Sequence, residues 1–130
     1  MNEIIYMKRY LHLIRMIVGW TAKDMGEKIG ATRQTINNLE NTNYDEDKFK
    51  LTKTKYLAIS YVLDKEINEH PDDTIMLKIF LEMVVYNHES YNEKDINKVI
   101  NIASLLAPSI LAKACTRKEV SDKFQELFAN

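Results

Sequence analysis

Arg33, Gln34, Asn37 and Asn38 gather one guanidinium and three carboxamides into a single six-residue run. These groups suit the reading of DNA bases through hydrogen bonds. A guanidinium fork matches the paired acceptors of guanine in the major groove, and a Gln or Asn amide matches the donor and acceptor of adenine. On a helix of 3.6 residues per turn, the four fall opposite and beside Ile36 and Leu39, which lie three residues apart on one face. Such a helix has one apolar side that can be pinned and one side that is a row of hydrogen-bonding groups.

That row has to be positioned, and the flanking residues carry the start and stop signals to do it. Thr21 is suited to cap a helix over residues 22–29, with Asp24 as its capping-box partner. Met25 and Ile29, four apart, form the buried side of that helix. Gly30 stands where the chain must leave it in a left-handed conformation, which a residue without a β-carbon adopts at little cost. Thr32 then offers a hydroxyl to cap the second helix.

The stretch TAKDMGEKIGATRQTINNLEN resembles the helix-turn-helix of the Cro/CI-type (XRE) family, and GATRQTINNLEN is similar to the matching segment of lambdoid phage repressors. The resemblance is close over the motif and loose over about 60 residues. It implies a five-helix DNA-binding unit in which Gly30 makes the turn and Ile36 and Leu39 fix the second helix to the first. Arg33, Gln34 and Asn38, with Asn37 beside them, match the base-reading positions. Thr21, Lys23, Thr32, Thr35 and Asn41 match places where phosphates are gripped by side chains or backbone N–H groups. Two residues depart from the family pattern. Ala22 replaces a frequent Gln and has no side chain to reach a phosphate. Gly26 replaces a usual alanine, allowing close helix approach while lowering helix propensity by up to about 1 kcal/mol.

Composition sets the outer bounds. A chain of 130 residues with 45% hydrophobic content can bury one core or two small lobes, more than a minimal DNA-binding module needs. Three glycines, two prolines, no Asn-Gly or Asp-Gly hairpin signal and no sustained alternation predict an all-α protein. The single Cys115 excludes an internal disulfide and fits a reducing cytoplasm, the expected location. No secretory pattern or uncharged apolar stretch of about 18 residues is present. The net charge of −1 divides unevenly, at +3 over residues 1–63 and −4 over residues 64–130, so the half with the motif is the basic one.

Outside the motif, Ile4, Ile5, Leu11, Ile14 and Val18 predict a first helix over residues 4–18 that buries them and exposes Lys8, Arg9 and Arg15. Trp20 reads as a packing residue. Asp45, Glu46 and Asp47 occupy a polar connector where an acidic run repels phosphate unless it faces away or meets another protein. Lys48, Lys50, Lys53 and Lys55 are candidate flanking phosphate contacts. Thr52 caps a helix from residue 53 to about 69 with Leu57, Ala58, Tyr61 and Val62 at apolar positions.

Further on, Pro71 with Asp72 and Asp73 opens a helix through Tyr86 that is apolar nearly all round and must be buried on several sides. Asn92 caps another, which Pro108 breaks, and Thr116 with Glu119 forms a capping box for a last helix carrying Val120, Phe124, Leu127 and Phe128. The chain therefore divides into a helix-turn-helix unit over residues 1–69 and a helical lobe over residues 70–130. The lobe is assigned to dimerisation or partner binding, because two reading helices must be held about 34 Å apart to enter successive major grooves. No cluster of convergent polar residues marks a ligand pocket in it.

The expected function is sequence-specific DNA binding by a homodimeric transcriptional repressor with double-stranded DNA as partner. The competing expectation is a protein-interaction module or antitoxin-like regulator whose C-terminal lobe binds a second protein. No Gly-rich phosphate loop and no Cys or His spacing of a zinc site is present, and His12, His70 and His88 lie far apart, so no enzyme, cofactor or metal is expected.

Overall fold

The computed structural model describes residues 2–41 and 50–130, and the described residues are helical with no strand. The Asp45-Glu46-Asp47 connector and Lys48 lie outside them. Helices α1 (Asn2–Arg9) and α2 (Leu11–Val18) are followed by α3 (Ala22–Ile29), α4 (Arg33–Glu40) and α5 (Lys53–Glu69). Next, α6 (Ile75–Phe80) runs straight into a π-helical segment, Leu81–Tyr86, and a single 3-10 turn, His88–Ser90. Last come α7 (Glu93–Leu106), α8 (Pro108–Leu111) and α9 (Arg117–Ala129).

The expected first helix is broken at Tyr10, where φ −109° and ψ 15° leave the helical well. Hydrogen bonds still cross the break, from Tyr10 N–H to the Tyr6 carbonyl and from Ile14 N–H to the Tyr10 carbonyl. No Pro or Gly causes it. The Tyr10 ring meets Phe80 edge-on at 6.1 Å, and the change of direction lets α1 pack on the π-helical segment while α2 packs on α6 and α8. Burial follows this geometry rather than the expected stripe. Met7 is fully buried and Ile5 is 54% exposed, while Lys8 and Arg15, expected at the surface, are each only 8% exposed. Gly19, at φ 82°, ends α2 in the left-handed conformation.

Helix α5 also turns a different face to the core from the one its periodicity suggests. Ile59 and Leu63 are buried, whereas Leu57 and Tyr61 are 53% and 69% exposed. Both faces of this helix carry apolar residues, and its contacts with α1, α3 and α6 select the one bearing Ile59 and Leu63.

The apolar helix begins later than Pro71. His70 N–H bonds the Glu66 carbonyl, Asp73 N–H bonds the His70 carbonyl, and the Thr74 hydroxyl donates to that same carbonyl at 2.7 Å. These bonds fold residues 71–73 into a turn, so the helix starts at Ile75. One of its unpaired N-terminal donors, Met76 N–H, is met from α9 by the buried Ser121 hydroxyl. Met76, Leu77, Phe80, Leu81, Val84 and Val85 are then almost entirely buried, as an all-round apolar helix requires. Its second half widens to π geometry, with Asn87 N–H bonding the Glu82 carbonyl five residues back.

The expected caps at Thr52, Asn92 and Thr116 are all made, each side chain accepting from the backbone N–H three residues on. Pro108 occupies the first turn of α8. One hydrophobic cluster runs from Met7 in α1 through Ile36, Leu63 and Phe80 to Phe124 in α9. It therefore crosses the boundary between residues 69 and 70. No helix among the described residues is long and apolar enough to cross a membrane.

Candidate nucleic-acid interface

Helix α3 starts as its sequence suggests. The Thr21 hydroxyl accepts from Asp24 N–H at 3.0 Å, and Thr21 N–H donates to the Asp24 carboxylate at 2.9 Å. The second bond, from the backbone, is the largest cause holding the Asp24 pKa below its ordinary value. It also occupies the Thr21 N–H that the family resemblance offers to a phosphate. Gly30, at φ 72°, closes α3, and Ala31 N–H bonds the Gly26 carbonyl at 2.8 Å.

Gly26 itself is buried under the turn. A β-carbon there would lie 2.7 Å from the Ala31 carbonyl oxygen and 3.1 Å from the Thr32 carbonyl carbon. Both are backbone atoms that cannot swing aside. The glycine in place of alanine is thus what lets the turn cross so closely over α3.

Helix α4 begins at the Thr32 cap, whose hydroxyl accepts from Thr35 N–H at 3.1 Å and lies 3.0 Å from the Thr35 hydroxyl. Ile36 and Leu39 are buried. On the outer side Arg33, Gln34 and Asn37 are exposed and Asn38 is half-buried. Gln34 Nε2 donates to Asn38 Oδ1 at 3.0 Å, which links two of the candidate base readers and leaves the Gln34 carbonyl oxygen and the Asn38 amide N–H groups to face outward partners. Lys23, Thr32 and Asn41 are exposed around this row. Trp20 is buried, as expected of a packing residue, and Lys28 Nζ lies 4.7 Å from its ring centroid. Lys53 and Lys55 open α5, and Lys50 precedes it.

The far end of α4 is fastened by Lys8 and Arg15, which the sequence places at the surface and the structure takes inside. Lys8 Nζ donates to the carbonyls of Leu39 and Asn41. It thereby satisfies acceptors that a helix C-terminus leaves open and places a positive charge at the negative end of the helix dipole. Burial pulls the Lys8 pKa down. Arg15 grips Glu40, the last residue of α4, through Nε at 2.5 Å and Nη2 at 2.9 Å, and its Nη1 donates to the Trp20 carbonyl. His12 Nδ1 lies 3.0 Å from the same carboxylate. Burial opposes ionisation of Glu40, but the Arg15 and His12 bonds outweigh it and hold the pKa below its ordinary value. One signal for this clamp stands in the sequence. An acid at a helix C-terminus faces the unfavourable end of the dipole and needs a cation, and Lys8 and Arg15 share a helical face with Leu11.

Glu66, Glu69 and His70 place potential ligand atoms within 4.8 Å of one another. Glu66 is already paired with Arg117 at 2.7 Å, and Glu69 and His70 are exposed. Comparison of the chain with protein-family models, curated proteins and solved structures found no match in any of the three.

Proposed function

We propose that this chain is a sequence-specific DNA-binding transcriptional regulator, acting as a homodimeric repressor, whose first 69 residues form a Cro/CI-like five-helix unit. The observation that carries this reading is the exposed row of Arg33, Gln34 and Asn37 on a helix fixed at both ends, by the Thr32 cap and by the Lys8 and Arg15 clamps. A rigid helix presenting a fork and several amides has the chemistry and the preorganisation that direct base readout needs. Arg33, Gln34 and Asn38 read bases, Asn37 flanks them, and Lys23, Thr32, Thr35 and Asn41 set register on phosphates. With its N–H held by Asp24, Thr21 has only its hydroxyl proton to offer.

Selection of bound duplexes from a random pool tests the proposal, followed by titration of the winner and a scrambled control at two salt concentrations. A palindromic winner with half-sites one helical turn apart, bound about a thousandfold above control, is expected. Arg33→Ala should cost about 1–3 kcal/mol on the best site and relax preference at one base pair. Equal weakening on specific and random DNA would remove Arg33 from the base readers.

A second reading is a module that binds another protein. One observation favours it: Leu57, Tyr61 and Leu105 are large apolar side chains left 53%, 69% and 72% exposed. Absence of any enriched duplex, with weak binding that vanishes in salt, would select this reading.

A further inference from the structure

Away from α3 and α4, a groove of about 710 Å³ opens between α5, the 75–86 helix and the end of α9. Its size lies within the range of small-molecule sites, roughly 300–1,000 Å³. Ile67, Ile79, Leu81 and Met83 give it an apolar floor, and Tyr86, Tyr91 and Phe128 contribute aromatic rings. The π-helical segment builds much of this wall, since Leu81, Glu82, Met83 and Tyr86 all belong to it. Such segments are rare and recur at functional sites.

Polar groups converge on the groove from two successive helices packed side by side. Asp64 and Asn68 come from α5, Lys78 from α6, Glu82 and Tyr86 from the π-helical segment. The Glu82 carboxylate is held in place, accepting from Asn87 Nδ2 at 2.8 Å and the Tyr91 hydroxyl at 3.3 Å. Asp64 is exposed at the groove's edge and forms no ion pair among the described residues; the partial burial of its carboxylate raises its pKa, and a hydrogen bond from the Tyr86 hydroxyl opposes that shift. The Tyr86 hydroxyl is buried between the Ser60 hydroxyl and the Asp64 carboxylate.

We propose that this groove binds a small organic ammonium ion with an aryl or alkyl body, its charge held by Asp64 and its apolar part resting on Ile79, Met83 and the aromatic rings. Two carboxylates against one lysine leave the lining with a single net negative charge. Aromatic rings beside carboxylates are the environment in which a cation gains from both ion pairing and the ring quadrupole. The site uses no residue of the DNA-reading row and stands independently of that function.

The test is a titration of the full chain with 2-phenylethylamine at neutral pH, followed by amide NMR shifts and calorimetry. 2-Phenylethanol and 3-phenylpropionate serve as controls of matched shape. The amine is expected to saturate, to shift residues around Asp64, Glu82 and Tyr86, and to bind about tenfold or more tightly than either control, as one charge-assisted hydrogen bond implies. Asp64→Asn should remove that preference. Tyr86→Phe should lower affinity in a chain that stays folded by circular dichroism, because it removes the hydroxyl that steadies the Asp64 carboxylate. No saturation by about 5 mM, a Kd scale of marginal binding, would overturn the proposal. So would equal binding of the alcohol or the acid, or unchanged affinity in both folded variants.

Discussion

A β-carbon at Gly26 would sit 2.7 Å from the Ala31 carbonyl oxygen, so two effects of Gly26→Ala compete. The substitution gains up to about 1 kcal/mol in helix propensity. Against this, the backbone of the turn must shift, and overpacking of this kind costs about 1–3 kcal/mol. The clash is with backbone and wins. Gly26→Ala is therefore expected to lower stability in urea titration and, on the proposed DNA-binding reading, to reduce specific DNA affinity by moving α4. Glu40 makes the complementary case, that of a charge which must stay paired. Glu40→Gln should cost about 2–3 kcal/mol, because it weakens the bonds that satisfy the buried Arg15 guanidinium. The pH dependence has a definite sign. The folded pKa of Glu40 lies below its unfolded value, so its contribution is fully present above the unfolded value and is lost as pH falls through the folded one. The stability gap between wild type and Glu40→Gln should shrink on acidification below about pH 4.5, measured by denaturant titration.

At the scale of the element, α4 has only eight residues, too few to be stable alone, and its order comes from its ends and its buried face. Lys8 supplies one end. Lys8→Met keeps the apolar stem but strips the donors from the Leu39 and Asn41 carbonyls. It should cost about 1–3 kcal/mol and increase hydrogen exchange at the end of α4 more than at Thr35, whose N–H keeps the Thr32 cap. If exchange rises evenly through α4, Lys8 is not the fastening of its C-terminus. The capping pattern explains why so many helix starts were legible. Thr21, Thr32, Thr52, Asn92 and Thr116 each act on the backbone three residues away, a local interaction that needs no tertiary partner. The start of α6 was not legible, because its donor Met76 N–H is met by Ser121, 45 residues distant.

For the whole molecule, the decisive feature is that one core serves both halves. Met7, Leu11, Ile14, Ile17 and Val18 are buried together with Phe80, Val84 and Ile110, and α2 touches α6, α7 and α8. A fragment ending at Glu69 would expose that face of α1 and α2 to water, at roughly 25 cal/mol for each Å² of apolar surface uncovered. It is expected to lack the cooperative thermal transition of the full chain in circular dichroism. A sharp transition in the fragment would mean that residues 1–69 hold a sufficient core of their own. The same continuity joins the groove beside Asp64 to α5, which packs against α3.

The sequence by itself determined the helical class, the Gly30 turn, the helix caps and the outward row on α4, since these rest on local sterics, capping and the 3.6-residue period. It did not determine which face of an apolar-rich helix goes inside. Ile5, Leu57 and Tyr61 have the hydrophobicity of core residues and are left outside, while Lys8 and Arg15 are taken in to hold the end of α4. Only the tertiary structure decides such cases, because burial depends on which neighbour lies across the interface and on whether a charge finds its partner there. The groove is the same case on a larger scale. Asp64 lies on α5 and Lys78 and Tyr86 on the 75–86 helix, and it is the packing of these two successive helices that brings them together.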